Sequence, residues 1–318
     1  MRACRRYSAV VACLVSQLVL SAETQAQMIE QPWSVAGLHG TYAKPANAAG
    51  RKPAVLIIAG SGPTDRNGNG PALSTDSYRK LAEGLATAGI ASLRYDKRGI
   101  GESRAKVTKE EDVMFEDFVA DAASAANDLL QRKDVSSVLL AGHSEGAILA
   151  LAAASRVEVA GIVLLAAPGR NLLNVIRAQL RGRLPPDLDA SANAILDTLA
   201  AGQRASDVPQ PLQVLFRPSV QPFLISAGRY DPAKLVADTT RPVLILHAGR
   251  DLQVVRDDLD ALRIAKPDAR FVVLPEANHT LKTSPEDLPG NLALYKNPDA
   301  PLDPGVIPAL VEFVQSIR

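Results

Sequence analysis

The chain has 318 residues, of which 47% are hydrophobic and 22% charged, with a formal charge of +1 at neutral pH. That composition belongs to a globular chain with room for one large α/β domain plus an insertion, or for two small domains. A charge so close to zero argues against a nucleic-acid partner, which calls for a basic stripe, and 4% aromatic residues are too few for an aromatic carbohydrate platform.

Along the chain, the first element is one that export would remove. Met1-Arg2-Ala3-Cys4-Arg5-Arg6 is a basic start, residues 7–22 are mostly apolar, and Thr24-Gln25-Ala26 offers small residues at −3 and −1 of a cleavage site. We read residues 1–26 as a secretory signal peptide cut after Ala26, which predicts a periplasmic or secreted protein. The apolar run is shorter than the ~20 residues a spanning helix needs, so no stable membrane span is expected. Val10-Val11-Ala12-Cys13 resembles a lipoprotein box, but the apolar run continues past Cys13, which disfavours lipidation. Without residues 1–26 the chain keeps 32 basic and 33 acidic residues and loses Cys4 and Cys13, its only cysteines. No disulfide, thiol nucleophile or cysteine metal site is then expected, and stability must come from core packing.

The remaining pattern alternates strand and helix. Strands are predicted at 35–42, 54–58, 90–95, 135–141, 161–166, 242–247 and 270–274. Helices are predicted at about 77–88, 115–132 and 147–154, with a last amphipathic one at 306–317. This order predicts an α/β fold: a mostly parallel sheet flanked by helices. Residues 167–240 interrupt it with proline-rich sequence that is helical at 172–180 and 190–199. Inserted after a strand, they would lie over the sheet's carboxyl edge, where ligands bind in open α/β folds. We read them as a cap between core segments 27–166 and 241–318, rather than as a small domain with no role at the site.

The strongest chemical signal is Gly142-His143-Ser144-Glu145-Gly146, a G-x-S-x-G pentapeptide between a predicted strand and a predicted helix. A serine on such a turn is held in a strained conformation above the sheet, and the two glycines avoid clashes with the neighbouring strand and helix. Ser144 is therefore the candidate nucleophile. A hydroxyl needs a base, and the base needs a carboxylate to orient it. The chain has four histidines. His39 lies in the first strand, His143 is inside the pentapeptide, and His247 ends an apolar strand and reads as packed. His279 stands in the loop after the last strand and is the candidate base. Asp251, in the turn after strand 242–247, is the candidate acid and completes the order Ser, acid, His. Asp257 and Asp258 in the following helix, and Asp231 and Asp238 in the insertion, read as solvated. For an oxyanion, two backbone N–H donors are needed. Glu145 supplies one, and the loop Gly60-Ser61-Gly62 the other, with Ser61 favoured and Gly62 second.

Gly60-Ser61-Gly62-Pro63-Thr64-Asp65-Arg66-Asn67-Gly68, Arg94-Tyr95-Asp96-Lys97-Arg98-Gly99-Ile100-Gly101-Glu102-Ser103 and the pentapeptide resemble the α/β-hydrolase superfamily. More narrowly, they resemble its bacterial carboxylesterases with a Gly-Ser-Gly-Pro oxyanion loop, close to cinnamoyl/feruloyl esterases. Arg217-Pro218-Ser219-Val220-Gln221-Pro222-Phe223 and Asn278-His279-Thr280-Leu281-Lys282 strengthen the match. The resemblance implies an α/β-hydrolase fold with a helical cap and ester hydrolysis through an acyl-enzyme. It carries nucleophile, acid and base onto Ser144, Asp251 and His279. Where many members have His-Gly at the oxyanion loop this chain has Ala59-Gly60, so no imidazole can assist there.

Weaker signals point elsewhere. Asp65-Arg66-Asn67-Gly68-Asn69-Gly70 with Asp76 nearly matches an EF-hand calcium loop, but a strand precedes it and the last ligand is Asp, so a turn is preferred to a metal site. Asp96-Lys97-Arg98-Gly99 reads as a turn braced by charge pairs. Glu145 beside an oxyanion calls for a cation nearby. Arg170, Arg177, Arg181 and Arg183 occur with no acid between residues 167 and 186, and a solvated face is preferred to an anion site. The expected protein is a cofactor-free, metal-free serine carboxylesterase acting on a small-molecule ester. Thioesterase or acyltransferase chemistry on the same residues is the alternative, ahead of a peptidase or a non-catalytic binding protein. Dehalogenase and epoxide-hydrolase chemistry is disfavoured, because it needs a carboxylate where this chain has Ser144.

Overall fold

The computed structural model describes residues 28–47 and 49–317; the expected signal peptide at 1–26 lies outside them. Runs such as Val55-Leu56-Ile57-Ile58 are buried at every position, which alternating strands cannot be unless both sheet faces are covered. The structure covers both.

A hairpin of β1 (Met28–Val35) and β2 (Leu38–Pro45) leads into β3 (Lys52–Ile58), and a ribbon of β4 (Asn69–Gly70) and β5 (Leu73–Ser74) follows. Next come α1 (Ser77–Thr87), β6 (Ala91–Tyr95), α2 (Phe115–Gln131), β7 (Val135–His143), α3 (Glu145–Ala154) and β8 (Gly161–Leu165). Five helices interrupt the alternation: α4 (Leu172–Leu180), α5 (Pro186–Ala200), α6 (Gln213–Phe216), α7 (Gln221–Ala227) and α8 (Pro232–Asp238). The chain closes with β9 (Val243–Ala248), α9 (Arg256–Ala265), β10 (Arg270–Leu274), α10 (Leu288–Ala293) and α11 (Val306–Ser316). The main sheet runs β1-β2-β6-β3-β7-β8-β9-β10. The pairs β1/β2 and β2/β6 are antiparallel and all others parallel. This is the expected α/β-hydrolase fold, with helical insertions.

The predicted strand at 35–42 is two strands. The chain reverses at Ala36 and Gly37, both with positive φ (51° and 79°), as a two-residue hairpin turn of the primed type requires. Alanine at the first position carries none of the Asn-Gly or Asp-Gly signal, so the turn is silent in the sequence.

Two cores form, one on each sheet face. Phe115, Ala122, Ile148, Leu149 and Leu259 of α2, α3 and α9 pack on one. Leu81, Leu85, Leu310 and Phe313 of α1 and α11 pack on the other. From Glu145 to Ala153 the whole of α3 is buried, because it lies between the sheet and helices α2 and α8. That explains its Ala/Leu sequence, apolar all round. Among the described residues no helix is long and apolar enough to cross a membrane.

The insertion docks on α2 through Ser226, whose Oγ accepts from the Phe115 N–H at 2.8 Å. The Phe115 ring lies 5.8 Å from Phe223 and 4.8 Å from Tyr230. Asp258 is not solvated as expected: its side chain is fully buried. It accepts N–H donations from Nε and Nη2 of Arg170, at 2.8 and 2.7 Å, and the Gly169 N–H at 3.1 Å. Arg177 likewise engages Asn193 and Asp197. Arg183, though exposed, donates to the Leu252 carbonyl at 3.3 Å, so three of the four arginines take partners from beyond their own segment, while Arg181 is exposed.

Candidate active site

The sheet order places β3 between β6 and β7. The chain leaves β3 toward one edge and later builds from β7 toward the other, so the loops after these two strands diverge. Such a switch point opens a crevice at the strands' carboxyl ends. The loop after β3 carries Gly60-Ser61-Gly62, and the turn after β7 carries Ser144.

Ser144 adopts φ 55°, ψ −124°, a region costly to any residue with a Cβ. The two glycines make this turn possible. A Cβ on Gly142 would lie 2.0 Å from the Gly146 carbonyl oxygen, and one on Gly146 would lie 2.3 Å from that of Ile58. The Ser144 N–H donates to the Leu165 carbonyl at 2.9 Å, tying the turn to β8.

Asp251 follows β9 in a turn fastened to the neighbouring loop, where Gly249 N–H donates to Leu274 and Arg250 N–H to Ala277, both at 2.8 Å. Its carboxylate is fully buried. One oxygen accepts the N–H groups of Gln253 and Val254 at 2.7 and 3.0 Å, and the other lies 2.7 Å from His279 Nδ1. Burial pushes the Asp251 carboxyl up, but the His279 ring and those two N–H groups more than offset it, leaving it below the ordinary carboxylate range. A carboxylate only accepts, so Nδ1 carries a proton, and in the neutral ring Nε2 is the atom with the free lone pair.

His279 sits in a tight loop built by Asn278, whose side-chain oxygen accepts from the Thr280 N–H and hydroxyl and from the Lys282 N–H. His279 and Ser144 line one small cavity of about 80 Å³ with Gly60, Ser61, Leu73, Tyr78, Gln253, Thr280 and Tyr295 among its walls. Among the described residues no hydrogen bond joins Ser144 to His279 directly. None of the lining residues comes from 167–240. The insertion reaches the wall from outside, where Gln179 Nε2 donates to the Gln253 carbonyl at 3.3 Å.

The N–H groups of Ser61, Gly62 and Glu145 have no acceptor within the described chain, so they are available to an incoming oxygen. The cation that Glu145 calls for is Lys97. Both side chains are 4% exposed and their charged atoms stand 3.6 Å apart. Burial pushes Glu145 up and Lys97 down, and each draws the other part of the way back. The remaining charges of that turn are paired as expected: Asp96 with Arg66 at 2.6 Å, and Arg98 with Asp121 at 2.7 Å. The calcium-like residues serve the turn itself. Asp65 accepts from the Asn67 and Asn69 N–H groups, and Asn69 from those of Thr75 and Asp76.

Sequence reading missed two groups of this site. Lys97 was taken only as part of a braced turn, and Tyr78 was not singled out. Tyr78 is buried with its hydroxyl 3.1 Å from the Gly60 N–H and 2.9 Å from His143 Nδ1. Neither has a local sequence signal, because both act across long separations.

The family model of the serine aminopeptidases S33, Hydrolase_4, matches residues 69–286. The chain belongs to this family. It is therefore a serine-hydrolase-type member of the α/β-hydrolase superfamily. It is 31% identical over 256 residues to the esterase EstD of Thermotoga maritima, a match covering 79% of this chain and 60% of that relative. This chain thus spans about three-fifths of EstD. Among solved structures it is similar to Est1E of Butyrivibrio proteoclasticus with ferulic acid bound (TM-score 0.59, 19% identity, 90% of this chain and 98% of that one). It is also similar to a proline iminopeptidase of Mycobacterium smegmatis (TM-score 0.57, 16% identity, 91% and 98%). At these identities the structural likenesses speak for the fold.

Proposed function

We propose that the protein is a serine carboxylesterase that hydrolyses small, neutral carboxylic esters. His279 Nε2 takes the proton of Ser144, whose Oγ attacks the ester carbonyl. Asp251 holds the ring and stabilises the imidazolium. The oxyanion is received by the N–H groups of Ser61 and Glu145, with Gly62 adjacent. Collapse expels the alcohol with the proton from His279. Water, activated by the same imidazole, then frees the acid and regenerates Ser144. The observation that carries this reading is the 2.7 Å contact between buried Asp251 and His279 Nδ1, on a ring that faces the same cavity as Ser144.

The family description and the iminopeptidase likeness raise a peptidase as the second reading. The cavity wall speaks against it. An exopeptidase that selects a free amino terminus needs a carboxylate to receive the ammonium. The lining residues include no Asp or Glu, and their only titratable side chains are histidine and tyrosine. The small cavity favours short acyl groups over long ones, and the curated relative EstD is named an esterase. Export to the periplasm or beyond is part of the proposal and rests on residues 1–26; immunoblots of fractionated cells test it.

Purified protein offered p-nitrophenyl esters of graded acyl length, acyl thioesters and aminoacyl p-nitroanilides decides between the readings. Short esters are expected to turn over fastest. Preference for thioesters would move the assignment to a thioesterase, and turnover of the anilides alone would establish a peptidase.

A further inference from the structure

In a trans peptide the carbonyl and the next N–H point in opposite directions, and the described residues contain no cis bond. The Gly60 carbonyl and the Ser61 N–H belong to one such unit. Its carbonyl accepts a hydrogen bond from Lys97 Nζ, so the Ser61 N–H is turned to the other side. The unit is close to the nucleophile, because a Cβ on Gly60 would lie 3.1 Å from Ser144 Cβ. The same ammonium faces the carboxylate of Glu145, 3.6 Å away, and Glu145 carries the other free N–H. A third face of the ammonium meets the Phe118 ring, 5.6 Å to its centroid. One buried cation therefore ties together the two backbone segments beside Ser144 that carry these free N–H groups. They follow different strands, and Lys97 touches both.

We infer that Lys97 is a positioning residue of the oxyanion hole, clamping the Gly60–Ser61 peptide and the Glu145 segment so that both N–H groups aim at one point. The inference rests on the serine-hydrolase reading of the site. Lys97 never touches substrate. Its ammonium neutralises Glu145, which would otherwise set a negative charge beside a developing oxyanion, and it prevents the Gly60–Ser61 peptide from rotating. A buried ion pair with only a packing role makes a different forecast. Replacing both partners with apolar groups of similar size is often neutral or stabilising, and activity would then survive with the fold.

The test uses Lys97→Met and the double variant Lys97→Met/Glu145→Met, with thermal unfolding, kcat and KM on p-nitrophenyl acetate, and the rate of Ser144 labelling by a fluorophosphonate. Lys97→Met alone strands a buried carboxylate and is expected to melt well below the parent. The double variant is expected to melt close to the parent, yet to lose about a hundredfold in kcat, the scale of one oxyanion donor. KM should change little, and labelling should slow with kcat, since phosphonylation passes through the same hole. A double variant that melts like the parent and keeps kcat and labelling within about threefold would overturn the inference, since that loss lies far below the oxyanion scale. So would a double variant that loses kcat only in proportion to lost folded protein. A parent that neither labels at Ser144 nor hydrolyses esters would sink the reading beneath it instead, so the two failures are distinguishable.

Discussion

The Tyr78 hydroxyl and His143 Nδ1 stand 2.9 Å apart, and the direction of their hydrogen bond is fixed by what lies at either end. His143 Nε2 is 2.8 Å from the His279 carbonyl, which can only accept, so Nε2 carries the proton and Nδ1 accepts from Tyr78. The Tyr78 oxygen in turn accepts the Gly60 N–H at 3.1 Å. One buried chain of hydrogen bonds thus joins the Gly60 loop, the turn holding Ser144 and the loop holding His279. His143 is a brace between loops, with both ring nitrogens occupied and none left to serve as a base.

Removing that hydroxyl leaves the Gly60 N–H and His143 Nδ1 without their protein partner. Each stranded group costs roughly 1–3 kcal/mol, less where water from the adjoining cavity takes the place of the hydroxyl. Tyr78→Phe is therefore expected to lower unfolding free energy by about 2 kcal/mol on that scale, measured by urea denaturation. A variant as stable as the parent would contradict the chain of hydrogen bonds.

Protonation of His143 tests the same chain by pH. Burial, with the neighbouring His279 adding to it, pushes the His143 imidazole down to about 3, against about 6.5 in the unfolded chain. Between these values the unfolded state binds the extra proton. The stability this group contributes is thus complete above about pH 6.5 and is lost as pH falls toward 3. Urea unfolding of the parent should steepen with acid relative to His143→Gln, by up to about 1.4 kcal/mol per pH unit. Parallel stability curves for the two proteins would show that His143 does not stay neutral in the fold.

Far from the nucleophile, Arg170 and Asp258 fasten the start of the insertion to α9. The Asp258 side chain is fully buried, while that of Arg170 is 30% exposed. Arg170→Ala leaves the carboxylate with only the Gly169 and Val255 N–H groups. A broken buried pair costs on the order of 3 kcal/mol, and partial exposure of the arginine places this one at or below that figure. The melting temperature should fall several degrees with KM for short esters little changed, because neither residue lines the cavity. A raised KM with an unchanged melting temperature would assign the pair to substrate binding instead.

These residues also mark where sequence stops speaking. The alternation of buried strands and helices was legible because each run carries its own periodicity, and the turn around Ser144 because its glycines and flanks are contiguous. The loops of Asp251 and His279 were legible as the segments that follow two late strands; that they meet at 2.7 Å is a fact of sheet order. Asp258 was misread because an acid in a helix's first turn ordinarily faces water. Here its Oδ2 accepts the Val255 N–H at 3.2 Å while the carboxylate turns inward to Arg170, 88 positions away in sequence. Lys97 and Tyr78 were silent for the same reason: a lysine after a strand and a tyrosine in a helix are ordinary until the fold sets them against Gly60.

The direct test of Ser144 as nucleophile is steady-state hydrolysis of p-nitrophenyl acetate by the purified protein and by Ser144→Ala, with circular dichroism confirming that both are folded. Alanine keeps the Cβ, and with it the strained turn, so the substitution removes only the hydroxyl. Loss of about a thousandfold or more in kcat, the scale for a removed nucleophile, is the expected result. A folded Ser144→Ala protein that retains kcat within about tenfold of the parent, far short of that scale, would mean that hydrolysis does not pass through Ser144.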